Sequence, residues 1–117
     1  MAIQTSINVV EVSGDETRTI IPLKTVQASC TLATYTRLSL AAGETGHALA
    51  LGGMTGPKVI VVSCDDPGVY YGFTATGEHR HCNPVGIETD EVGITGTTIY
   101  LNNPGSVAVT VTVAAAE

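Results

Sequence analysis

Residues 105 to 117 read G-S-V-A-V-T-V-T-V-A-A-A-E, with valines at 107, 109, 111 and 113 and Ala108, Thr110 and Thr112 between them. Strict alternation sends successive side chains to opposite faces of a strand, so the stretch is β, with one apolar and one weakly polar face. It carries no charge before Glu117. A bare strand of that kind templates pairing with other chains. The expectation is therefore that another strand or a second subunit covers residues 106 to 113. Val107, Val109, Val111 and Val113 are the corresponding interface candidates.

The same signal recurs along the chain. Periodicity predicts strands at residues 5–12, 17–21, 24–32, 34–41, 46–51, 58–64, 69–75, 92–95, 98–102 and 106–114, and no segment has helical spacing. Between them lie S-G-D-E (13–16), A-G-E-T-G (42–46), G-G-M-T-G-P (52–57), D-D-P-G (65–68), G-E-H-R-H-C-N-P-V-G (77–86) and N-N-P-G (102–105). Gly supplies positive φ, Pro presets φ, and Asn or Asp caps its own turn, so these segments break strands for stated reasons. Short strands with such regular turns predict a sandwich or barrel with little or no helix. K-V-I-V-V-S-C (58–64) is apolar through its middle and reads as a central strand covered on both faces. T-R-L-S-L (36–40) alternates, with Leu38 and Leu40 inward and Arg37 and Ser39 outward.

Composition agrees and narrows the function. At 117 residues the chain reads as one domain, long enough to bury roughly 65–70 % of its unfolded surface. With one Phe, four Tyr and no Trp, the core must be built from Val, Ile, Leu and Ala. Charged residues make up only 14 % of the chain, against about 25 % in an average domain, so much of the surface falls to Thr, Ser, Asn and Gly. Net charge is −6, from 11 acids and 5 bases, and Arg18, Lys24, Arg37, Lys58 and Arg80 are scattered singly. Phosphate binding needs clustered cations, so nucleic acid is disfavoured as a partner. No run approaches the ~18 apolar residues of a membrane span. M-A-I-Q-T-S-I has no signal-peptide pattern, and synthesis in the cytoplasm is expected. Cys30, Cys64 and Cys82 form an odd set without a C-x-x-C pair and read as free thiols, Cys30 and Cys64 as small core residues.

Three segments invite a chemical reading. In E-H-R-H-C (78–82), an extended backbone would set His79 and His81 on one side, as in the H-x-H of cupin-type barrels. A cupin site also needs a carboxylate and a distant His, for which Glu88 and His47 are the available residues. The flanking Gly77, Asn83, Pro84 and Gly86 favour a surface loop, so His79 and His81 stand only as weak metal candidates; neither metal nor cofactor is expected. Ser63-Cys64-Asp65-Asp66 lacks a nucleophile elbow, and Asp65 to Gly68 fit a strand-ending turn. In V-Y-Y-G-F (69–73), alternation puts Tyr71 and Phe73 on the core face and leaves Tyr70 as an interface candidate or, if exposed beside polar loops, a sugar-binding platform.

L-S-L-A-A-G-E-T-G-H-A-L-A-L (38–51), K-V-I-V-V-S-C-D-D-P-G-V-Y-Y-G-F (58–73) and G-I-T-G-T-T-I-Y-L-N-N-P-G-S-V-A-V-T-V-T-V (93–113) together resemble small all-β virion proteins of tailed bacteriophages. Within that group the nearest likeness is to capsid decoration, or cement, proteins. The resemblance spans residues 34 to 114 and is one of style, without a signature motif. It implies an antiparallel, jelly-roll-like β-sandwich, a homotrimer, the major capsid protein as partner, a place on the capsid surface and no catalysis. Residues 1–12 would then serve as an arm or strand contacting a neighbour. The alternatives are a phage tail or fibre-base structural protein, a host-surface or glycan-binding β-sandwich module, and a small metal-dependent cupin-like enzyme.

Overall fold

The computed structural model describes residues 2–13, 16–29, 32–76, 78–90, 93–94 and 98–117, and every regular element among them is a β-strand. In chain order these are β1 (Ala2–Ser13), β2 (Glu16–Ser29), β3 (Ala33–Leu40), β4 (His47–Ala50), β5 (Val59–Cys64), β6 (Tyr70–Gly72), β7 (Arg80–His81), β8 (Val85–Thr89), β9 (Thr98–Asn102) and β10 (Val109–Ala116). They form a two-stranded sheet, β1-β2, and two four-stranded sheets ordered β3-β10-β5-β8 and β4-β9-β6-β7. All pairings are antiparallel. The two four-stranded sheets face one another as a sandwich, so the expected all-β sandwich is borne out.

The opening strand is covered within its own chain. β10 lies between β3 and β5, Val111 standing opposite Leu38 on one side and Cys64 on the other. Both rows of its backbone groups therefore meet a ladder, which removes the edge that its uncharged sequence would otherwise expose. Val111 and Val113 are fully buried in the core of the subunit. They have no surface to offer a partner, and this corrects their place among the interface candidates. Val109 is partly buried against the same core, and Val107, before the strand begins, is 68 % exposed.

Alternation sets the core. Leu40, Ile60, Val62, Val111 and Val113 of the first sheet meet Tyr71, Ile99 and Leu101 of the second, with Leu51, Met54, Val69 and Cys82 closing the ends. Each such aliphatic side chain contributes about 1.5–3 kcal/mol on leaving water. Arg37 and Ser39 point outward as expected. β5 is an interior strand, yet Val61 and Ser63 on its outer face keep partial exposure, so only one of its faces is fully covered.

Beyond shifts of a few residues at strand ends, three segments differ from expectation. The segments 17–21 and 24–32 join into β2, whose register shifts between Ile7 and Val10 of β1 absorb Pro22, a residue with no N–H to give a ladder. The segment 77–86, read as loop, holds β7 and the start of β8. Gly86 pairs with Val62 in that strand, and only glycine fits there because a Cβ would lie 2.7 Å from Cε1 of Tyr71 and 2.9 Å from the His81 carbonyl oxygen. Of the strand expected at 92–95, only Gly93 and Ile94 are described; they are not strand, and the Ile94 N–H donates to the Pro57 carbonyl at 2.7 Å.

Asn103 fastens one end of the sandwich. Fully buried, its Nδ2 donates to the carbonyls of Leu40, Ala41 and Val107, while its Oδ1 accepts the Gly105 N–H at 3.2 Å. Its own N–H donates to the Glu44 carbonyl at 2.7 Å. The turn after β9 thus holds the turn after β3, and with it the start of β4.

Candidate functional site

The histidines fall on opposite edges of the second sheet. His47 begins β4, and its Nδ1 lies 2.7 Å from Oε1 of Glu44, whose other carboxylate oxygen accepts the Ala41 N–H. The Glu44 carboxyl is held below its ordinary pKa, chiefly by the His47 contact and then by the Ala41 N–H. His79 precedes β7 at the far edge and stacks on Tyr70 with ring centroids 4.0 Å apart and planes 8° from parallel. His81, opposite Tyr70 in the β6–β7 register, is exposed. The structure does not bring His47 together with His79 and His81. No cluster of three or more metal-ligating side chains occurs among the described residues.

Glu78 and Glu88, the nearby carboxylates, are engaged by Arg80. Its Nε donates to Glu78 Oε2 and its Nη1 to Glu88 Oε1, both at 2.9 Å, and its guanidinium carbon stands 5.1 Å from the centroid of the Phe73 ring. The Glu78 carboxyl is lowered first by Arg80 and further by the Phe73 N–H and the Thr74 hydroxyl. Glu88 also accepts the hydroxyl of Tyr71 at 2.8 Å. These groups hold one another, two carboxylates sharing one guanidinium.

Tyr70 occupies a different setting. On β6 the buried Tyr71 faces the core and Tyr70 the outer side of the sheet, where Ala75, Thr76, Glu78 and His79 return across the strand. Gly72 permits that return, since a Cβ there would come within 2.7 Å of the Glu78 Cβ. The result is a cleft of about 350 Å³ between those residues and the turn before β4, lined by Thr45, Gly46, Tyr70, Ala75, Thr76, Glu78, His79 and Asn102. Asn102 is fixed there by the Gly46 N–H, which donates to its Oδ1 at 2.7 Å. The cleft combines a stacked aromatic pair with hydroxyl, amide and carboxylate groups.

The serine and thiol readings also resolve. Ser63 Oγ donates to the Pro84 carbonyl at 2.8 Å, and Asp66 Oδ1 accepts the Gly68 N–H at 2.7 Å, as a turn requires. Cys64 and Cys82 are buried free thiols, and Cys30 lies outside the described residues. Burial, followed by the neighbouring Cys64, pushes the Cys82 thiol up to about 12, far from the thiolate that nucleophilic chemistry needs.

Sequence spacing singled out Tyr70, His79 and Glu78 separately. It missed Thr45, Thr76 and Asn102, because the strand register and a folded-back loop, not a local motif, bring them to the same cleft. No protein-family model matches the chain, and neither a curated protein nor a solved structure matches it.

Proposed function

We propose that this chain is a structural virion protein, a decoration or cement protein that binds the major capsid protein on the outside of a phage head as a homotrimer. The observation that carries this reading is the β1-β2 ribbon. Its strands of 12 and 14 residues hydrogen-bond to each other and to no other strand among the described residues. A two-stranded ribbon is marginal in water by itself and gains stability when a further strand or surface covers it. A subunit carrying such an element is suited to reaching a neighbour, as the arm expected at residues 1–12 would do, with β2 as the strand paired to it.

Other features support the same role. The order β3-β10-β5-β8 over β4-β9-β6-β7, in which all chain neighbours from β3 to β10 except β6 and β7 are divided between the sheets, is the one expected of two interlocked Greek keys and favours the jelly-roll reading. Tyr35, on the edge strand β3, is 71 % exposed, and Val107, beyond the other end of the β3–β10 ladder, is 68 % exposed, so each offers an apolar group that a partner could cover. Binding to the assembled shell and not to its free subunits stabilises the shell by mass action, without chemistry. A trimer gains further through the effective concentration of its linked contacts.

The test is to mix the purified protein with expanded capsids that lack it, and separately with unexpanded procapsids, then follow binding and the temperature of DNA release. Saturable binding to the expanded shell with delayed release is expected, together with a trimer by sedimentation. Binding confined to tails would transfer the protein to the tail or fibre base.

A further inference from the structure

We propose that the cleft on the outer face of the second sheet is a binding site for a single neutral sugar ring. This goes beyond the assembly role and does not depend on it. The site is constructed from three separate parts of the chain. Tyr70 of β6 and Asn102 of β9 stand side by side in register, Thr45 approaches from the turn before β4, and Thr76, Glu78 and His79 come from the segment that folds back over β6.

The chemistry of these groups selects the ligand. A hydroxyl-rich ring needs alternating donors and acceptors around it and an aromatic edge or face for its C–H groups. The cleft supplies two threonine hydroxyls, a carboxamide and a carboxylate, beside the stacked Tyr70–His79 pair. Their positions are set before any ligand arrives. The Gly46 N–H orients the Asn102 carboxamide, and Arg80, Thr74 and the Phe73 N–H hold the Glu78 carboxylate, which has acceptor capacity left for about one ligand hydroxyl. Preorganised polar groups lose less on binding than mobile ones.

Charge and size exclude the competing ligands. Arg80 is shared between Glu78 and Glu88, two carboxylates against one guanidinium, so the cleft has no uncommitted arginine or lysine for a phosphate or a carboxylate among its described residues. Its lining lacks the several acidic or imidazole ligands that would gather a metal. A volume of about 350 Å³ is at the small end for ligand sites, fitting one ring of an open-ended glycan and not an extended chain.

Titration of the intact protein with methyl α-glucopyranoside, methyl β-galactopyranoside, methyl α-mannopyranoside and N-acetylglucosamine, followed by amide chemical shifts, tests the proposal; sialic acid is the charged control. At least one neutral sugar is expected to saturate shifts at Thr45, Gly46, Thr76, His79 and Asn102 in the millimolar range, with sialic acid giving none there. Thr76→Val, an exposed loop change that should leave the fold intact, and Glu78→Gln should each weaken binding about fivefold or more, the effect of one hydrogen bond. Tyr70→Ala should abolish it. The proposal is overturned if no neutral sugar moves these amides at tens of millimolar, if sialic acid binds there in preference, or if Thr76→Val and Glu78→Gln both bind as the parent does.

Discussion

Tyr71 and Glu88 join the two sheets: the phenol of β6 donates to Oε1 of β8 at 2.8 Å, and the ring between them is buried. A hydroxyl held this far from water stabilises only while its acceptor remains. Tyr71→Phe removes the donor but leaves Glu88 its Arg80 partner, so a loss of about 1 kcal/mol is expected in urea unfolding. Glu88→Ala, which leaves the buried phenol without its acceptor and Arg80 with Glu78 alone, should cost more.

Alkaline pH should weaken the fold. The Tyr71 phenol is raised above its ordinary pKa, first by burial and then by Glu88, and the Cys82 thiol rises to about 12, first by burial and then by Cys64. Both groups are neutral when protonated, and both ionise sooner in the unfolded chain. Their contribution is therefore complete below about pH 8 and is lost as pH climbs from the unfolded values toward the folded ones. The urea midpoint should hold steady to about pH 8 and then decline, less steeply in Tyr71→Phe. A flat midpoint to about pH 11 would contradict these assignments.

Gly86→Ala should be among the most damaging small changes. Its Cβ would sit 2.7 Å from Tyr71 Cε1, 2.8 Å from the Tyr71 hydroxyl oxygen and 2.9 Å from the His81 carbonyl, so the ring, the backbone or both must move. Overpacking of this kind costs about 1–3 kcal/mol, and here it also loosens the bond to Glu88. Thermal unfolding of the variant measures it, with Gly43→Ala as a control for positive φ in open space.

Asn103→Ala should unfasten the end of the sandwich. Three carbonyls lose the same amide donor, and the turn at Gly105 loses its acceptor. With the side chain buried, about 2–3 kcal/mol is expected, together with faster amide exchange at Gly43 and Gly105.

What could be read before the structure was whatever depends on local period. Alternation placed Leu40 inward, Arg37 outward and Tyr71 opposite Tyr70, because a strand's faces follow from its own sequence. β8 escaped because Pro84 and Gly86 carry turn signals, while the need for Gly86 comes from a ring fifteen positions earlier in the chain. The cleft escaped for a similar reason. Thr45, Tyr70, Glu78 and Asn102 meet through register and a returning loop, and no spacing within the sequence encodes that meeting. The apolar terminal strand and its need for cover are legible, but lone periodicity cannot distinguish a neighbouring strand of the same chain from one of another.

The two ends of that terminal segment should respond oppositely to the same substitution. Val111 stands between Leu38 and Cys64 in register with no exposure, so Val111→Ser removes two methyl groups from a filled core and places a hydroxyl among apolar neighbours, costing about 2–4 kcal/mol. Val107, 68 % exposed and ahead of the strand, touches little of that core, and Val107→Ser should stay within about ±0.5 kcal/mol in urea unfolding. Self-association supplies the second readout. If Val107 belongs to the surface through which copies meet, Val107→Ser should shift sedimentation toward the monomer while leaving the unfolding midpoint of the isolated subunit unchanged, whereas Val111→Ser should lower that midpoint whatever the assembly state. Unaltered sedimentation of Val107→Ser would remove Val107 from the interface and leave the β1-β2 ribbon and Tyr35 to carry the contact.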